Sequence, residues 1–251
     1  MAALAGCDRS APQQDAGPFQ RPTIRANTVG ECIASWTDMG MWLPDSQQIE
    51  IVRAQFKSAR GPLRDALSHS DDSVRMRAAY VIGQIGPQAR PAGEDLLAQF
   101  VREPDRTVRM YIVNALNLID YNDAATVDAL ANRYGALDGR NVAPSVDHSY
   151  PEVDEKITIA SALFTMAETR SKSEYYEFVV KWLDPPNDAT HGDLLEGYWE
   201  RRWMAVNVLE RMPGATDAIP KLQSLQAEAN AKPWVNVHVP RVLAALRSNA
   251  R

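Results

Sequence analysis

Residues 71–86, DDSVRMRAAYVIGQIG, return in altered form at 104–119 as PDRTVRMYIVNALNLI. With Val74 and Val108 set as position zero, two later stretches align without gaps: EKITIASALFTM from Glu155 and RRWMAVNVLERM from Arg201. Positions four, seven, eight and eleven then read Ala78/Val81/Ile82/Ile85, Ile112/Ala115/Leu116/Ile119, Ile159/Ala162/Leu163/Met166 and Ala205/Val208/Leu209/Met212. At about 100° per residue these positions share one stripe, which predicts four amphipathic helices that bury the same face. Ala78, Ala115, Ala162 and Ala205 are small enough to let neighbouring helices come close.

Each of these helices follows another amphipathic stretch: 61–69, 91–103, 126–135 and 173–184. Pro62 and Pro91 suit a first helical turn, and Ser173 suits an N-cap. A fifth pair is read at 216–229 and 239–249. One helix pair cannot bury its own stripe, so the pairs must stack. The expected fold is all-α, an α-solenoid of about five helix pairs over residues 58–251. Residues 29–57, with Trp36, Trp42 and QQIEIVRAQFKSA, read as a helical cap on the first pair.

The repeat domain resembles the HEAT-repeat family, in particular the short HEAT-like units also found in phycobilisome lyases. Asp71-Asp72-Ser73-Val74-Arg75 with Ala78-Ala79 and Gly83-Gln84-Ile85-Gly86 carry the resemblance, as do Asp105-Arg106-Thr107-Val108-Arg109. It implies that Asp71 and Asp105 cap the second helices, and that Arg75 and Arg109 act as repeat-stabilising residues pairing between adjacent repeats. The later repeats depart from the pattern. The third has Lys156 in the Arg place and Glu152 where the Asp would stand; the fourth keeps Arg202 but has Tyr198.

Composition narrows the function classes. Hydrophobic residues make up 45%, charged residues 24%, and the net charge is −5, so the chain is globular with no general attraction for nucleic acid. There is no apolar run of about twenty residues for a membrane span. Cys7 and Cys32 are too few for a disulfide framework, and Cys32 reads as a small buried apolar residue. Leu4-Ala5-Gly6-Cys7, followed by DRSAPQQDAGPFQRPT, resembles a bacterial lipoprotein lipobox and its tether. That implies a signal-peptide remnant over 1–7, lipidation at Cys7, a flexible tether over 8–28, and a domain facing the periplasm or cell exterior. Met1-Ala2-Ala3 is too short for a charged and an apolar signal region, so the signal is expected to start upstream. Asp8 resembles an inner-membrane retention signal.

Two surfaces are candidate sites. Arg77, Tyr80, Tyr111, Asn114, Ser161 and Asn207 lie opposite the stripe and are expected to line a concave, hydrogen-bonding row for a partner protein or peptide. The inserts 135–153 and 184–200 are expected to form one loop edge carrying Asp147, His148, Tyr150, His191, Asp193, Tyr198 and Trp199. His148 and His191 with Asp147 or Asp193 suit a metal by ligand type, but their spacing matches no metal motif. No metal or cofactor is therefore assigned. His69 and His238 are read as surface or helix-end residues.

Catalytic motifs are also missing from the sequence. There is no Gly-x-Ser-x-Gly elbow, no HExxH and no phosphate loop; lacking a His-Glu dipeptide, the chain does not match deoxyhypusine hydroxylase. The polar row and acidic balance argue against the HEAT-like DNA glycosylases. The expected function is a membrane-anchored, non-catalytic scaffold or assembly factor. A lyase or chaperone-like enzyme subunit and a cytosolic interaction module are the alternatives.

Overall fold

The computed structural model describes residues 26–40, 42–137, 151–166, 172–184, 192–212, 214–228 and 232–249. Among these, every regular element is a helix. Helix α1 (Val29–Ala34) starts at Thr28, whose hydroxyl accepts from Glu31 N while Glu31 accepts from Thr28 N, a capping box read directly from Thr-x-x-Glu. A 3-10 turn (Ser35–Asp38) leads to α2 (Ser46–Ala54), which Asp45 and Gln48 cap in the same way. The first pair is α3 (Phe56–Leu67) with α4 (Asp72–Ile85); after a 3-10 segment (Gly86–Ala92) the second is α5 (Gly93–Arg102) with α6 (Arg106–Leu118).

Helix α7 (Ala124–Ala136) crosses the division between two compact units, Met1–Thr126 and Val127–Arg251. It opens the third pair with α8 (Pro151–Met166). The fourth pair is α9 (Lys172–Val180), extended by a 3-10 turn (Lys181–Leu183), with α10 (Gly192–Leu209); the fifth is α11 (Ile219–Gln226) with α12 (Val235–Asn249). The fold class is thus an all-α solenoid of five helix pairs with an N-terminal helical cap.

Element boundaries shift in places. The cap and the first pair meet at Gln55, and α3 runs through Pro62. Proline is tolerated there because it sits on the exposed side, where the Ser58 carbonyl that loses its amide donor faces water. Ser173 lies inside α9, where its hydroxyl donates to Glu177 at 2.8 Å. Helix α10 starts at Gly192, within the segment expected to be a loop.

The predicted stripe is buried in all four second helices, apart from the half-buried Met166. Burial goes further than the stripe. Helix α4 also buries Arg75, Arg77 and Ala79, and every residue from Ile157 to Phe164 of α8 is buried. Helix α4 packs on α2, α3 and α6, and α8 on both α9 and α10, so a second helix is enclosed on several sides. Small residues allow this. A Cβ on Gly83 would stand 3.1 Å from Ala115 Cα, so α4 and α6 nearly touch through their backbones.

The turn between the helices of a pair is fixed by one cation. Arg75 Nη1 donates to the carbonyls of His69 and Ser70 at 2.9 and 3.0 Å, and Arg109 Nη1 donates to those of Glu103 and Pro104, both at 2.8 Å. The motif persists where the sequence pattern fades: Lys156 Nζ donates to Leu137 O at 2.7 Å, and Arg202 Nη2 to Leu183 O at 2.7 Å. Asp71 and Asp105 cap α4 and α6, accepting from Ser73 N and Val108 N, each at 2.8 Å. The Asp and the Arg therefore do not bridge to each other; both serve backbone groups of their own turn. The bridge between adjacent pairs goes to a glutamate. Arg75 forms a two-point contact with Glu103 at 2.7 and 2.9 Å, and Arg202 holds Glu228 likewise.

The Glu103 side chain is fully enclosed. Burial alone would raise its pKa, but hydrogen bonds from Arg75, Gln99 and the Asp105 amide outweigh that and hold the carboxyl below its ordinary value. A depressed carboxyl pKa stabilises the fold at pH above the unfolded value, and that contribution fades as pH falls through the folded one. Glu103→Ala is expected to cost about 3–5 kcal/mol, because it strands a buried guanidinium. In urea melts between pH 7 and pH 3, the wild type should lose stability steeply at the acid end, and Glu103→Gln should flatten that loss.

Candidate functional site

In the first unit, the face of α4 and α6 presents Tyr80, Tyr111 and Asn114, all half-buried. The two tyrosine rings meet edge to face, 6.2 Å between centroids at 76°. Aromatic pairs of this geometry hold their side chains in place, so the hydroxyls are presented on a fixed footing. Residues Gln84 and Leu118 flank them, also half-buried.

Arg77 departs from expectation. It is fully buried, and its guanidinium donates to Trp36 O at 2.8 Å, to Trp42 O at 2.9 Å and to Gly40 O. The cap segment between α1 and α2 thus sits on α4, and Arg77 is the bolt that holds it. Burial pushes this guanidinium below its ordinary pKa. Gly40 makes the turn possible by adopting φ +56°. Nothing in the sequence distinguished Arg77 from the other arginines of the repeats.

Ser161 is the second correction. It is 3% exposed, inside the run of α8 that is buried on all sides, and its hydroxyl has no hydrogen-bond partner among the described residues. Neither Ser161 nor Arg77 can face a partner. Asn207, in the second unit, is half-buried; it donates to Trp203 O at 2.8 Å and accepts from Arg241 at 3.3 Å.

Of the loop-edge residues, Asp147, His148, Tyr150 and His191 lie outside the described residues, as does Cys7. Asp193 and Tyr198 belong to α10. Trp199 is a packing residue: 5% exposed, its ring lies 6.1 Å from Trp234 with the Arg202 guanidinium 4.8 Å above it. His238 lies between indoles, 6.2 Å from Trp203 and 6.5 Å from Trp234, and burial lowers its pKa. His69 closes a turn, accepting from Asp71 N at 3.1 Å. Among the described residues, no group of three or more His, Cys, Asp or Glu side chains could hold a metal ion. Cys32 is fully buried, and burial pushes its thiol up to about 11. A cleft between α3 and α5, about 240 Å³, is lined by Arg64, Asp65, Asp95 and Arg102 and is smaller than the usual ligand pocket.

Sequence reading passed over two buried charges, Glu155 and Arg201, each 1% exposed at position zero, where Val74 and Val108 stand in the first two repeats. Glu155 accepts two hydrogen bonds from Arg133 at 2.8 and 3.0 Å, and the Arg201 guanidinium lies 5.2 Å from the Trp182 ring.

Residues 61–142 match the family model described as HEAT repeats. The match covers about a third of the chain and includes both complete Asp-to-Arg motifs. No curated protein matches the chain. Among solved structures, the crystal structure of an engineered protein aligns over 88% of this chain and 97% of its own, at 16% identity and a TM-score of 0.40. No described helix is long and apolar enough to cross a membrane.

The Arg77 bolt yields a local prediction. Arg77→Met leaves three enclosed carbonyls without donors and is expected to cost about 2–4 kcal/mol. Hydrogen exchange should locate the effect: amides of α1 and α2 lose protection while those of α5 and α6 keep it. Uniform loss across the first unit would show that the cap is not a separately held element.

Proposed function

We propose that the protein is a non-catalytic scaffold or assembly factor of the bacterial envelope, anchored to the membrane through a lipidated Cys7 and facing the periplasm or cell exterior. Its partner is another protein or a peptide. The paired Tyr80 and Tyr111 rings beside Asn114 carry this reading. They present hydroxyl and amide groups on two helices whose backbones are locked together at Gly83 and Ala115, so little side-chain entropy remains to be lost on binding. Tyrosine is among the residues enriched at protein-recognition surfaces. The address is supported by Leu4-Ala5-Gly6-Cys7 and the polar, proline-bearing stretch after it. Two or three acyl chains on one terminus suffice for stable attachment.

Two measurements test the two halves of the proposal. Expression from the native gene in its bacterial host, with mass analysis of the N-terminal peptide in the membrane fraction, should give an acylated Cys7; an unmodified residue in the soluble fraction removes the address. A photocrosslinker at Gln84 should capture a defined partner in the same cells. Tyr80→Ala with Asn114→Ala should weaken that capture about tenfold or more while the helical circular dichroism is retained. Full capture by the folded double variant would place the binding face elsewhere.

A further inference from the structure

His238 stands on α12 where that helix meets α10, and the groups around it suit only its neutral form. The ring is half-buried between two indoles, 6.2 Å from Trp203 of α10 at 73° and 6.5 Å from Trp234 at 71°. Its Nδ1 is enclosed by protein and has no hydrogen-bond partner among the described residues. A neutral imidazole can keep its one proton on Nε2 and leave Nδ1 bare, whereas the imidazolium carries a proton on both nitrogens. Protonation therefore places a charged N–H at Nδ1, where nothing accepts it. Burying a charged donor unpaired costs far more than burying a bare nitrogen.

The charges nearby do not relieve that cost. Arg241, on α12 itself, adds positive charge one turn away. Among the described residues, Glu210 of α10 is the one carboxylate that bears on the ring, and Arg241 already holds it at 3.0 Å while donating to Asn207 Oδ1 at 3.3 Å. Helix α11 and the 3-10 turn before it (Ala215–Ala218) also pack on α12, and among the described residues they bring no charge to bear on His238. Indole faces attract cations, but a second cation here stands against Arg241. Burial first, and Arg241 second, push the imidazole below its ordinary value against the pull of Glu210.

We propose that His238 is an acid-sensitive latch between α10 and α12. Neutral, it lies between the indoles and holds the two helices together; protonated, it leaves that place, and α12 loosens while the rest of the second unit stays folded. The sign follows from linkage. An imidazole whose folded pKa is lowered leaves the closed state unpenalised above its ordinary value, penalises it increasingly as pH falls through about 6.5, and adds nothing more once pH is below the folded value.

Hydrogen exchange on the full chain at pH 7.5, 6.5 and 5.5, corrected for the intrinsic pH dependence of amide exchange, tests this in a window where carboxylates stay ionised. Protection in α12 should fall about threefold or more between pH 7.5 and 5.5; about tenfold is the ceiling, set by an ordinary imidazole in the open state and a neutral one in the closed state. Protection in α8 should stay within about twofold. His238→Phe keeps a ring between the indoles and cannot titrate, so α12 should then hold its protection across the range. His238→Gln, with circular dichroism at pH 7.5 reporting the fold, serves if the phenyl ring is not accommodated. Unchanged α12 protection in the wild type would overturn the proposal. So would an equal loss in the non-titrating variant, which would assign the effect to another group, and an equal loss in α8, which would make it an unfolding of the whole unit.

Discussion

The structure depends on a cation that reaches back, in four of the helix pairs, from the second helix to carbonyls beyond the end of the first. Helix C-termini leave carbonyls without amide donors and carry the negative end of the helix dipole. Where such a carbonyl is drawn inside, leaving it unpaired costs about 1–3 kcal/mol. A charged donor placed one residue after the buried position zero meets them at 2.7 to 3.0 Å in the first three pairs, through Arg75, Arg109 and Lys156. Arg202 does the same for the fourth. The contact ties the second helix of a pair to the end of the first.

The two units complete this shared device differently. In the first, Arg75 continues into Glu103, and Glu103 into Gln99 and the Asp105 amide, so that one enclosed carboxylate joins three elements. Every acceptor has a donor there, which is the condition for a buried charge to hold a structure together. In the second, Lys156 has only three protons and no planar fork, and it rests on the rings of Tyr134 and Phe178. Valine at position zero is replaced by Glu155, compensated by Arg133 of the preceding helix. Ring faces and a relocated ion pair thus do at the third helix pair what the Arg–Glu pair does at the first, while Arg202 and Glu228 keep the Arg–Glu form at the fourth.

This contrast explains how far the sequence could be read. The period of the stripe depends on the backbone alone, so the helix pairs, their number and their buried positions were legible; Lys156, read as a departure from the pattern, takes the arginine's part in the structure. Pairing between charges was less legible, because Glu103 is 28 residues from Arg75 and nothing local marks it as the partner. The binding row suffered most. A helical wheel separates two faces, but α4 and α8 are enclosed on more than one side, so Arg77 and Ser161, polar by type, are interior by position. Trp199 was misplaced for the opposite reason: it lies in α10, where an aromatic ring finds Trp234 to pack against.

Burial of Arg77 also shapes what the first unit can offer. A solenoid end exposes a stripe that has no next repeat to cover it, and here the cap covers it. The cap's link between α1 and α2 has carbonyls of its own to satisfy, and α4 supplies the donor from position three, the position that Tyr111 occupies in α6. One place in the row is therefore spent on closing the end. What remains of the proposed row in the first unit begins at Tyr80, a full turn further along α4, and continues through Tyr111 and Asn114 of α6. The surface is short and tyrosine-rich, on helices held rigid by the Gly83–Ala115 contact beneath it. Such a face suits one docked segment, read by hydroxyl and amide groups, better than a long groove, and in this unit closing the stack and limiting its binding row are one event.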